Sequence, residues 1–178
     1  MKRSLLKWEA TGIGVIFLLG AFFHFIFELT GSLAPIGAFA PVNESVYEHL
    51  KMTFWPTVLY AAFSYCFIKA SANNFITGKA AALIVMPLII LGLFYGYTTL
   101  TGTENVIIDI LIFLVAVAGG QLVSYQILKS KPLPVWLTRI SLFVIIGLAI
   151  MYAVLTFLPP HVQLFIDTNT NTYGIPSQ

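Results

Sequence analysis

The run VIIDILIFLVAVAGGQLVSYQIL, Val106 to Leu128, decides the fold class: Asp109 is its single charge, and the stretch is long enough to cross a hydrocarbon core of about 30 Å as a helix. Four further apolar stretches flank it in the chain: Trp8 to Leu29, Thr53 to Ile68, Ala80 to Leu100 and Val135 to Leu158. Each is bounded by Gly, Pro, Asn or charged residues. In lipid every backbone polar group must find its partner within the segment, and none of these runs alternates as a barrel strand would, so all five are expected to be helices. The expected fold is therefore all-α: a polytopic integral membrane protein with five transmembrane helices over residues 1–158, and an outward-facing tail, 159–178, packing on the bundle.

The composition agrees. Of 178 residues 58% are hydrophobic and only 9% charged, with a mean hydropathy of +0.91, whereas soluble domains carry about 25% charged residues. A net charge of +2 without a basic run excludes nucleic acid as a partner. The single cysteine, Cys66, excludes an internal disulfide, a CxxC redox pair and a thiolate zinc site. The basic N-terminus followed by an apolar run has the outline of a secretory signal with Ala38-Phe39-Ala40 as its cleavage site. However, the Trp8–Leu29 run exceeds a signal core and the small-residue triplet lies well beyond its end, so a retained first helix is expected.

Orientation follows from the basic residues. Lys2, Arg3, Lys7, Lys69, Lys79, Lys129, Lys131 and Arg139 fall on one side of a five-span topology and Lys51 alone on the other. That places the N-terminus in the cytoplasm and the C-terminus outside, in the plasma membrane or bacterial inner membrane. The chemistry gathers on the outer side, where Glu28, Glu44, Glu48, Glu104, Asp167, His24, His49 and His161 lie.

Three constellations stand out there. His24 and Glu28, four residues apart, share a face of the first helix, with His24 about 24 Å up from Trp8; ionisable groups at such depth usually face the bundle and have a partner. In Asn43-Glu44-Ser45-Val46-Tyr47-Glu48-His49-Leu50-Lys51, Asn43 reads as the N-cap of a second helix of roughly 25 residues that continues through Pro56. Glu44 and Glu48 then share a face, Glu48 reaches Lys51 at i+3, and His49 points about 100° away from Glu48. The tail offers His161 and Asp167. Asp167, Asn169 and Asn171 copy the first oxygen positions of a calcium loop, but Thr172 stands in place of its glycine and Gln178 in place of its glutamate, so a turn-rich tail is expected instead.

Neither HExxH, GxSxG, a Walker loop nor HxE with PCxxC occurs. Histidines confined to one side do not suit a transmembrane haem pair. The Gly92–Gly96 and Gly119-Gly120 positions suit close helix packing.

The pattern His24-Phe25-x-x-Glu28-Leu29, the Pro41-to-Lys51 segment, and Pro159-Pro160-His161 with Leu164-Phe165-x-Asp167 and Tyr173-Gly174 resembles a family of small bacterial polytopic membrane proteins classified only as a domain of unknown function. The resemblance covers nearly the whole chain and is most specific in Asn43–His49. It implies an inner-membrane protein and assigns no activity; Asn171 replaces a glycine of the pattern.

Three functions fit these residues. The first is a divalent metal site, for zinc, manganese or iron, built from His24, Glu28, Glu44, Glu48 and His49 with His161 or Asp167, with a coordination position open for hydrolysis of a lipid-derived or periplasmic substrate. His24, Glu28, Glu44 and Glu48 are expected to meet in one pocket, with His161 completing it, and His24 and Glu44 must lie within about 10 Å to share an ion. The second is a non-catalytic membrane subunit or scaffold that binds a protein partner or a second copy. The third is a proton- or cation-coupled carrier using His24 and Glu28.

Overall fold

The computed structural model describes residues 2–175. Five helices follow one another: α1 (Lys2–Leu29), α2 (Val46–Ile68), α3 (Phe75–Thr101), α4 (Val106–Leu128) and α5 (Val135–Phe157). Short 3-10 turns occupy Ala34–Ala38 and Gln163–Phe165, and the tail adds one antiparallel bridge between Ile166 and Tyr173. The all-helical expectation is met. Four helices, α1, α3, α4 and α5, are long and apolar enough to cross a membrane. α2 is not among them, and its first two turns hold Glu48, His49 and Lys51.

The connections follow from local chemistry. α1 stops where Gly31 and Ser32 adopt φ of +72° and +58°, and Ser32 N donates to Phe27 O at 2.9 Å. α3 ends on Gly102 at φ +72°, and the Asn105 side chain then caps α4 by accepting from Ile107 N and Ile108 N. The helices pack into one bundle in which α1 lies against α2 and α4, and α3 against α4, α5 and α2. Its centre is apolar, built on Ile16, Leu50, Phe54, Ala82, Leu83, Met86 and Val117.

Helix two departs from its expected start. Its cap is Ser45, whose Oγ accepts from Glu48 N at 3.3 Å, and the helix spans 23 residues without a break at Lys51–Thr53. Asn43 lies outside it, with Oδ1 accepting from Ser45 N at 2.9 Å in an Asx turn. The Ser45-x-x-Glu48 spacing carries half of a capping box, a signal that competes with Asn43 in the sequence.

Pro56 has a consequence for packing. It leaves Met52 O without its donor four residues on, and that carbonyl faces α1 at Gly20, where a Cβ would lie 2.7 Å from it and 2.5 Å from the Phe113 ring. Gly20→Ala should therefore destabilise by about 1–3 kcal/mol through overpacking. Gly14→Ala, with nothing within 4 Å of its Cβ, should be neutral or stabilising by up to about 1 kcal/mol. Thermal unfolding of both variants in detergent, followed by circular dichroism, checks the contrast; equal shifts would contradict it.

Candidate metal centre

Because α2 begins at Val46, Glu44 is not on its helical face. The expected i, i+4 pairing of Glu44 with Glu48 is broken, and the two carboxylates go to different places.

Glu44 turns to the histidines. Its Oε1 lies 3.7 Å from His24 Nε2 and its Oε2 lies 3.2 Å from His49 Nε2. The two imidazoles stack with centroids 5.3 Å apart at 23°. One donor atom from each of the three residues fits within a mutual spacing of 4.8 Å. α1 supplies His24 near its end, the linking loop supplies Glu44, and the first turn of α2 supplies His49.

The protons constrain what can sit there. His49 Nδ1 is 2.9 Å from Ser45 O; a carbonyl only accepts, so Nδ1 carries the hydrogen. Nε2 then either bears a second proton or points a lone pair at the Glu44 carboxylate. The second arrangement is repulsive unless a cation lies between them. An imidazole whose far nitrogen donates to a backbone carbonyl is the usual arrangement of a metal-bound histidine. His24 Nδ1 is buried with no hydrogen-bond partner among the described residues. The Glu44 carboxyl is held below the ordinary carboxylate range, chiefly by the hydrogen bond from the His49 ring, against an opposing effect of partial burial.

Glu48 takes the opposite direction. It is buried, its Oε2 ion-pairs with Lys51 and accepts from Val42 N at 3.0 Å, and its Oε1 accepts from Thr156 Oγ1 at 2.9 Å. Lys51 Nζ is also surrounded by Gly37 O at 2.6 Å, Ala40 O at 2.8 Å and Thr156 Oγ1 at 2.9 Å. The pair thus joins α2, the 34–42 segment and α5 in a clasp that fixes the loop carrying Glu44. Lys51, the one basic residue expected at this end, is fully buried.

The remaining expected ligands do not join the cluster. Glu28 is exposed one turn beyond His24. The tail does fold back, with Asn43 Nδ2 donating to Gly174 O at 2.8 Å and Phe165 stacked on Tyr47 at 4.2 Å. However, His161 spends its ring against Tyr173, with centroids 4.6 Å apart, instead of reaching the histidine pair. Asp167 is buried in its own turn, where its carboxylate accepts from Asn169 N at 3.0 Å and Thr170 Oγ1 at 2.6 Å. Asn171 adopts φ +57°, a left-handed conformation that Asn tolerates, so the turn forms there without glycine. Of the four residues expected to converge, His24 and Glu44 do so. His49, which its offset of about 100° from Glu48 had made the weaker candidate, takes the place of Glu48.

The opposite end holds a second polar cluster that the sequence did not suggest. Lys79 Nζ contacts both oxygens of Glu9 at 2.7 Å, with both residues buried, and Gln121 Nε2 donates to Glu9 O at 3.3 Å. Glu9 and Lys79 are 70 positions apart, so no local spacing announces the pair.

The sequence matches one family model over residues 1–175, that of a family of unknown function, DUF6512. The chain belongs to this family. No curated protein and no solved structure matches it. The metal-type geometry of the DUF6512 chain therefore has to be read from its own residues.

Proposed function

We propose that the chain is a polytopic membrane protein that binds a divalent cation of the zinc, manganese or iron class through His24 Nε2, the Glu44 carboxylate and His49 Nε2. The observation that carries this reading is His49, whose Nδ1 is committed to Ser45 O so that Nε2 faces Glu44 and His24. Donors about 2.0–2.2 Å from a tetrahedral ion sit roughly 3.4 Å from one another, so the 3.2 Å and 3.7 Å separations need little adjustment. Two imidazoles and one carboxylate are a ligand set used by catalytic zinc sites, which keep a fourth position for water. Bound there, the metal would supply an activated water for hydrolysis of a lipid-derived or periplasmic substrate.

In this reading α2 crosses as a fifth span, its Glu48–Lys51 pair neutralised internally before it reaches lipid. The distribution of basic residues puts the N-terminus in the cytoplasm, and the His24 end and the C-terminus outside. The carrier reading is weaker because the apolar centre around Phe54, Leu83 and Met86 separates the His24 cluster from the Glu9–Lys79 pair.

Metal analysis of the purified protein tests the site. About one zinc, manganese or iron ion per chain is expected. Glu44→Gln and His49→Ala should each lower the affinity by roughly a hundredfold or more, beyond the 10–100-fold lost when only a supporting residue is removed. Asp167→Asn should leave it unchanged. A wild-type protein that takes up no stoichiometric metal, or variants that bind as tightly, would overturn the proposal and favour the non-catalytic subunit or scaffold.

A further inference from the structure

At the end of α3 lies an open groove of about 360 Å³ lined in part by Phe94, Tyr95, Thr99, Thr103, Glu104 and the tail residue Gln163. Its volume lies in the range of small-molecule sites. The left-handed turn at Gly102 brings Glu104 back over the end of the helix. Among the described residues Glu104 has neither a hydrogen bond nor an ion pair, and no Lys or Arg lines the groove. Thr99, Thr103 and Gln163 likewise have side-chain polar groups without partners among the described residues.

We propose that this groove binds the headgroup of a zwitterionic membrane lipid bearing an ammonium group. The Glu104 carboxylate and the rings of Phe94 and Tyr95 form a cation-recognising wall. The Thr99 and Thr103 hydroxyls and the Gln163 amide supply donors for the adjoining phosphate. A lipid is the source because α3 is one of the helices apolar enough to cross a membrane, and the groove opens where that helix ends, at headgroup level. Leu93 and Leu100 are exposed on the same helix and offer apolar surface to the acyl chains. An anionic headgroup without an amine is disfavoured, because it would face Glu104 with no compensating cation. The binding itself does not depend on metal.

The full-length protein in lipid nanodiscs, probed with spin-labelled phosphatidylethanolamine and phosphatidylglycerol, provides the test. Phosphatidylethanolamine should be retained roughly fivefold better, the scale of one cation–aromatic and carboxylate contact. Glu104→Gln should abolish the preference and Glu104→Lys should reverse it, while circular dichroism shows unchanged helix content, as expected for a substitution in an exposed turn. Equal retention of the two lipids, or a preference that survives Glu104→Gln, would overturn the proposal. Soluble phosphoethanolamine binding as well as the lipid would overturn the assignment to a membrane lipid. Loss of metal binding in Glu44→Gln with the lipid preference intact would separate this site from the metal centre.

Discussion

Lys51→Met is expected to destabilise the protein by about 3–5 kcal/mol, the cost of leaving one buried charge without its partner. Lys51 is 0% exposed and Glu48 3%, and among the described residues the ammonium is the one ion-pair partner of Glu48. Removing it leaves the carboxylate with Val42 N and the Thr156 hydroxyl, which stabilise a charge less than an ammonium does. The same change frees Gly37 O and Ala40 O, so the 34–42 segment should loosen together with the loop that carries Glu44. Two measurements follow: unfolding by heat or denaturing detergent, followed by helical circular dichroism, and metal affinity. In the double variant Glu48→Gln/Lys51→Met much of the lost stability should return, because replacing both members of a buried pair is far cheaper than removing one. A single variant that unfolds like the wild type would show that the clasp does not hold the bundle.

The second large effect is expected at the other end. Lys79→Met should also cost about 3–5 kcal/mol, because Glu9 is as buried as its partner, each 3% exposed. Here the pair ties α1 to α3, with Gln121 of α4 alongside. Unlike Lys51→Met, Lys79→Met should leave metal affinity in the folded protein unchanged, since the apolar centre of the bundle lies between the two clusters. Glu9→Gln/Lys79→Met should recover most of the loss. Comparing the two single variants by unfolding and by metal titration distinguishes a structural pair from one coupled to the site; weakened metal binding in both would show that the ends communicate.

The helices and their connections were legible in the chain because they depend on local chemistry. Runs such as Val106–Leu128 can satisfy their backbone in an apolar medium only as helix, and Gly31, Gly102 and Asn105 end or cap helices through conformations that these residue types favour. Part of the site was legible too. His24 and Glu44 lie on segments joined by a short loop, and their meeting needed little more than that loop closing.

What the sequence alone could not decide was which side chain reaches which partner. A two-residue shift in the start of α2, from Asn43 to Ser45 as cap, took Glu44 off the helix and sent Glu48 inward. Its destination was set by Thr156, 108 positions away. The Glu9–Lys79 pair and the pairing of His161 with Tyr173 are of the same kind. Periodicity fixes a residue's direction only relative to its own helix, within a few residues, whereas a buried charge is placed by whichever distant group neutralises it once the helices have packed.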